Sequence, residues 1–409
     1  MSVAAERPHR RRMPTFFAQG FRPFFLAAGL WSAVALAIWI GVLVIGFELP
    51  SRFDAMTWHI HEMLFGYVMA AIAGFLLTAV PNWTKRLPVG GWPLAGLAGL
   101  WLLGRIASLC SALVPAGAAI AADMAFPVVL VAVIAREIIV GRNWRNLPMI
   151  IPVAVLGVAN LLTHHEAAGD SGMPSGIGWR LALAAVLILI SVVAGRIVPS
   201  FTRNWLMKRR ASELPAVHGL IDRCALGSLH AGLLGWAILP NFQPFGWLLL
   251  AAGAANLWRL LRWRGLATFA EPLVLILHVG YAWLAIGIAL LGLSLLDLGI
   301  AQSAAIHALT AGAIGTMTLA VMTRATLGHT GRELTAGRWT AAIYLLVTAA
   351  AVVRVIAALA NDWTLPLFIV AASLWVAAFG LFAIHYGPML LLPKRPGKQA
   401  ASMTSATNI

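Results

Sequence analysis

The residues best placed to do chemistry in this 409-residue sequence are its histidines, 11 of them against 14 carboxylates. Two neutral imidazoles can fill both axial positions of a haem iron, and three can hold copper, whereas a hard cation would need more acid than the apolar stretches supply. His59 and His61 stand at the head of one apolar run and His307 near the head of another. A rise of about 1.5 Å per helical residue puts them in one layer. His59 and His61, two residues apart, point to nearly opposite sides of a helix, so only one can share a ligand with His307. The spacing favours His59, because Glu62 follows it by three residues and can hold its second ring nitrogen. Arg354 lies at similar depth and is expected to meet a haem propionate or Glu62, or to snorkel to the surface. At the opposite end, His230, His278 and His385 come from three different runs but reach one depth by the same rise, with His329 at the boundary. These four are expected to form a second site, for copper or for a haem with a neighbouring imidazole.

The elements that must carry these residues are membrane helices. The chain is 61% hydrophobic and 11% charged, with mean hydropathy +0.86, far from the balance of soluble domains. Apolar segments of spanning length fall near 24–47, 58–80, 92–113, 116–140, 147–166, 177–198, 225–240, 244–261, 272–296, 302–325, 339–360 and 364–391. The fold class is therefore all-α, a polytopic membrane protein with about twelve transmembrane helices. Residues 1–23 read as a basic cytoplasmic N-terminus, 24–391 as one membrane domain, and 392–409 as a disordered cytoplasmic tail.

The net charge of +15 excludes nucleic acid as the partner once its placement is read. All but four of the 29 basic residues fall on the side of the two termini, two fall on the other side (Arg52 and Arg180), and Arg105 and Arg354 lie inside spans. This asymmetry sets orientation in the bilayer, with both termini in the cytoplasm. Arg105 and Asp123 sit in neighbouring spans and are expected to pair, since an isolated charge there is costly. His164 and His165 close the fifth span, where they either face solvent or join the first histidine layer. Cys110 and Cys224 fall in separate spans that end on opposite sides, so no disulfide is expected. The second span ends in Val80-Pro81-Asn82-Trp83-Thr84-Lys85 and the sixth in Val198-Pro199-Ser200-Phe201-Thr202-Arg203, with a poorer copy near Thr323-Arg324-Ala325-Thr326 in the tenth. This four-helix interval is compatible with three four-helix units, and equally with the common look of membrane exits. In the tenth span Ala308, Ala311, Gly312 and Gly315 keep one flank thin, for a flat ligand or for another helix.

Three stretches, WHIHEMLFGYVMAAIAGFLLTAVPNWT from Trp58 to Thr84, VMTRATLGHTGREL from Val321 to Leu334, and FRPFFLAAGLWSA from Phe21, resemble the NnrS family. The resemblance spans nearly the whole chain. It implies a bacterial twelve-helix inner-membrane protein containing haem b and copper, with nitric oxide or a small redox ligand as its partner, a role in denitrification and nitrosative stress, and an unspecified electron donor. It assigns no ligands to particular residues. The layout is also similar to subunit I of haem-copper oxidases, where histidines of the second and tenth helices clamp a low-spin haem, as His59 or His61 with His307 would. The oxidase pattern needs a second histidine where Leu309 stands and a histidine pair where His230 is single, so reduction of oxygen or nitric oxide by that mechanism is not expected. The alternative is a histidine-lined transporter or channel for protons or a soft metal; carriers place their ligating groups near midplane, which these histidines avoid. A scaffold that binds haem only structurally is the plainest alternative. The charge count yields a direct test: alkaline phosphatase fused after Arg210 should be inactive, and strong activity there would invert the orientation.

Overall fold

The computed structural model describes residues 14–169 and 175–394; most of the basic N-terminal segment and the tail from 395 lie outside the described residues. Twelve long helices run in chain order: α1 Phe21–Ile45, α2 Ala55–Thr84, α3 Trp92–Leu109, α4 Ala116–Val140, α5 Ile150–Ala167, α6 Ile177–Lys208, α7 Leu220–Ile238, α8 Pro244–Leu261, α9 Pro272–Leu295, α10 Gln302–His329, α11 Arg338–Ala357 and α12 Thr364–Leu391. Ten are long and apolar enough to cross a bilayer. The other two, α7 and α8, are diluted by Asp222, Arg223 and His230 and by Asn256 and Arg259. With every backbone group satisfied inside a helix, this is the one all-α solution that hydrocarbon permits.

Each helix packs on its neighbour in sequence, and α12 returns to pack on α1. The inner helices are α2, α6, α9 and α10, whose apolar stretches are 56–78% buried against 28–44% for the other six that qualify as spans. Three of these four stand four helices apart. Both α2 and α6 run past the repeated Val-Pro motifs and their expected ends, with Pro81 and Pro199 inside the helices. The threonine three residues after each proline turns its hydroxyl onto the valine carbonyl, Thr84 onto Val80 and Thr202 onto Val198, both at 2.9 Å. Thr326 does the same to Met322 at 2.6 Å in α10.

Two helices carry a wide π-helical stretch, Glu62–Val68 in α2 and Ala308–Gly315 in α10. Each begins at the residue after a histidine, His61 and His307. Such wide turns are rare and recur at functional sites, because the extra residue re-aims the side chains on either side of it. The start of α2 is fixed by Asp54, whose carboxylate accepts from the amides of Met56 at 2.9 Å and Thr57 at 3.1 Å. Partial burial pushes this carboxyl up, but its bonds to Thr57 and Met56 outweigh that and hold it below its ordinary value. The cap explains why the helix begins at Ala55 rather than Trp58, which places His59 one turn inside it. Asp54→Ala should cost about 1 kcal/mol of helix stability, read as increased hydrogen exchange of the Ala55–His61 amides; unchanged protection would remove the cap from this role.

Candidate functional site

The π turn of α2 divides its histidines between two places. His59 faces a cavity of about 480 Å³ lined by α1, α2, α10, α11 and α12 with two side chains of α6, and His307 faces the same space from α10. The walls are otherwise mainly apolar and aromatic, among them Met63, Leu64, Ile306 and Trp375. Trp39 stacks on His59 with ring centroids 4.2 Å apart and planes 23° from parallel. The Nδ1 of His59 is buried with no hydrogen-bond partner. His307 is tethered differently: its Nδ1 lies 2.7 Å from the Ser303 carbonyl one turn earlier. Because a carbonyl only accepts, Nδ1 carries the proton and Nε2 the lone pair.

Arg354 from α11 completes the polar lining. Its guanidinium lies over the Phe368 ring at 3.9 Å and donates to the Ser303 hydroxyl at 3.2 Å. A second guanidinium nitrogen, Nη1, is buried without a partner. Buried polar atoms are nearly always satisfied in folded proteins, so two unpartnered ones on one cavity mark where a ligand would complete them.

His61 points away from this cavity into a buried ionic cluster. Its Nδ1 lies 3.0 Å from Glu62 Oε1, and its Nε2 3.0 Å from Asp123 Oδ2 and 2.9 Å from Asn160 Oδ1. Arg105 donates to Glu62 at 2.8 Å and to Asp123. His164 Nε2 lies 3.0 Å from Asp123, Asn160 donates to Asp123 at 2.8 Å, and Trp31 donates to Glu62 at 2.7 Å. His61, Glu62 and Asp123 have no exposed surface at all. His61, Asp123 and His164 form a group that could hold a metal ion, with one ligand atom from each lying within 4.8 Å of the others, and among the described residues it is the one such group of three.

The expected pairing of Arg105 with Asp123 is present, with Glu62 as a third member. Glu62 does not reach His59. It holds the second nitrogen of His61 instead, because Arg105 and Trp31 draw its carboxylate to the opposite side of α2. Arg354 accordingly meets Ser303 and not Glu62. His164 joins His61 through Asp123. On α10 the thin flank divides by use: Ala311 lines the cavity, whereas a Cβ on Gly312 or Gly315 would come within 2.5 Å of the Trp283 or Trp375 indole.

The four histidines of the other layer are not brought into one site. His230 bonds to the Ser191 hydroxyl at 2.9 Å and His278 to that of Thr202 at 2.8 Å. These anchors are eleven residues apart on α6, roughly 16 Å along its axis, so the two Nε2 atoms stay about 10 Å or more apart. A rise counted from the ends of the apolar runs does not show this, because it takes no account of the residues on α6 to which each ring bonds. His329 packs on Phe21 and His385 on Tyr386. One turn after His278, the Tyr281 hydroxyl accepts from Arg259 at 2.7 Å and donates to Asn256 at 2.6 Å.

Sequence reasoning missed Trp39, Asn160 and Ser303. Asn160 and His164 are four residues apart and therefore share a helix face, a readable signal; the roles of Trp39 and Ser303 depend on tertiary placement. Breaking the cluster on one side leaves a buried charge uncompensated, so Arg105→Met should cost about 3–5 kcal/mol, read as loss of folded protein in detergent thermal scans. Stability equal to the parent would mean the cluster is relaxed by water.

No curated protein matches the sequence. The NnrS protein family matches residues 15–394, and the chain belongs to that family.

Proposed function

We propose that this chain is a haem b- and copper-binding protein of the bacterial inner membrane that acts in the nitric oxide response, with both termini in the cytoplasm. The observation that carries the haem reading is the pair of imidazoles, His59 and His307, on one apolar cavity beside a guanidinium with a spare donor. The donors fit the group: two imidazoles suit axial ligation, apolar and aromatic walls suit a macrocycle, and Arg354 suits an anionic side group. A haem held there supplies an iron for electron transfer or for binding nitric oxide. His307 is oriented by its bond to Ser303, which leaves Nε2 free to ligate. His59 is oriented by stacking on Trp39 alone and is the less firmly tethered of the two.

The cluster at His61 fits the second metal. Two carboxylates against one guanidinium leave one negative charge, and His61 meets a carboxylate or amide oxygen through each nitrogen. One added positive charge neutralises the group, whether a proton on His61 or a cuprous ion between His61, Asp123 and His164. Imidazole nitrogens suit copper, and Glu62 on the far nitrogen of His61 is the outer contact that fixes a ligating ring. The nitric oxide role rests on family membership. A proton or metal carrier is less well supported, since the histidines at the two ends of the bundle are held apart.

The test separates the two metals. His59→Ala and His307→Ala should each abolish the low-spin reduced-minus-oxidised spectrum at equal expression, while His61→Ala should leave the haem and reduce copper per chain. His164→Ala should likewise lose copper and keep haem. A low-spin spectrum unchanged in His307→Ala would remove that residue from the iron, and copper retained in His164→Ala would leave the cluster as a charge network only.

A further inference from the structure

The residues lining the histidine cavity pass from exposed to buried in the same sense on five helices. On α2, Met56 is 53% exposed, His59 and Met63 are half-buried, and Tyr67 is 1% exposed. On α10 the order is Ser303, exposed, then His307 and Thr310, half-buried, then Ile314, buried. Leu43 and Ile40 repeat it on α1, Arg354 and Ala350 on α11, and Phe368 and Trp375 on α12. Among the lining residues Leu43, Met56, Gln302 and Ser303 are the exposed ones, and all four lie in terminal turns: Leu43 near the end of α1, Met56 at the start of α2, and Gln302 and Ser303 at the start of α10. The cavity therefore opens at the end of the bundle opposite both termini and deepens toward the middle of α2 and α10.

Polarity is layered along the same axis. The Arg354 guanidinium stands at the rim, bonded to the Ser303 hydroxyl. About one turn farther in are the two imidazoles, His59 after Met56 and His307 after Ser303. Thr310 follows, with its hydroxyl donated to the Ile306 carbonyl at 2.9 Å. Deeper still the polar side chains are Tyr67 and Trp375, and these are bonded to Thr318 and Ser32. A carboxylate carried past the imidazoles would meet no cation, which apolar surroundings penalise heavily. A guest with an apolar body and an anionic edge thus fits one way round, body inward and edge outward, where the unpartnered Nη1 of Arg354 can donate to it.

We propose that the histidine cavity exchanges its guest through a mouth at the end of the bundle opposite the termini, and that Arg354 selects a flat amphiphile by holding its carboxylate side groups at that mouth. In the orientation proposed above the mouth is on the outer face, so the guest is loaded from outside the cytoplasm, apolar body first. Haem as that guest rests on the function proposed above; the side on which the cavity opens does not.

The test uses the full-length protein with Cys110→Ser and Cys224→Ser and a single reporter thiol inside the cavity, Thr310→Cys on α10 or, should that variant not fold, Met63→Cys on α2. A small charged methanethiosulfonate that cannot cross a bilayer is applied to spheroplasts and to inverted vesicles, with Arg210→Cys marking the side of the termini. The reporter should react from the side on which Arg210→Cys does not. Reaction of both from one side, or of the reporter from neither, would overturn the mouth. Haemin added beforehand should block the reporter; a reporter left open by haemin would sink the haem reading and leave the mouth standing. Arg354→Gln should weaken haemin binding about tenfold, the worth of one hydrogen bond to a charged group, while haemin dimethyl ester should bind parent and variant alike. Haemin binding equal in the two would overturn the role of Arg354.

Discussion

The structure depends on a charge problem solved inside the bilayer. Asp123, Glu62 and Arg105 are buried where an isolated ion is costly, and each is affordable only because the others face it. The cluster draws on α1 through Trp31, α2 through His61 and Glu62, α3 through Arg105, α4 through Asp123 and α5 through Asn160 and His164. Five successive helices are thus fixed by one set of hydrogen bonds. Hydrophobic burial cannot do this in hydrocarbon, where helix surfaces and lipid tails are equally apolar and packing and polar contacts must set the register. The consequence reaches the neighbouring site. With His61 held into the cluster, His59, two residues earlier on the same helix, has to face the other way, into the cavity. A side chain that touches neither His59 nor His307 therefore aims one of the two.

The second constraint is the pair of π-helical stretches. Glu62–Val68 and Ala308–Gly315 follow His61 and His307 in the two innermost helices. Farther along, Tyr67 lines the histidine cavity and is hydrogen-bonded to Thr318 across the two helices. Both departures from regular helix thus contribute to the lining of the histidine cavity. Glycines serve the same end from α10: Gly312 and Gly315 admit the indoles of Trp283 and Trp375, and the Trp375 indole in turn donates to Ser32 of α1 at 2.9 Å.

Much of this was legible in the sequence. Hydropathy and breakers gave twelve helices, because in hydrocarbon a spanning helix must be long and apolar whatever its neighbours are. The opposite directions of His59 and His61 followed from helical geometry, and the Arg105–Asp123 pair followed from the cost of buried charge. What could not be read was which carboxylate serves which histidine. Glu62 is spaced to reach either ring, and only the positions of Trp31 and Arg105 on other helices decide for His61. The separation of His230 from His278 was hidden for a related reason: depth counted from the end of an apolar run does not say which residue of α6 each ring meets, and these are Ser191 and Thr202, eleven residues apart. The π turns carry no periodic signature that would betray them.

The central claim is that the cavity presents two imidazoles, one from α2 and one from α10, to a single iron. Near-infrared magnetic circular dichroism of the oxidised full-length protein reads the axial ligand pair directly. The expected result is the bis-histidine signature of a low-spin ferric haem. A histidine–water or histidine–methionine signature in the intact chain would contradict the account, because it would leave either His59 or His307 off the iron while both face the same cavity.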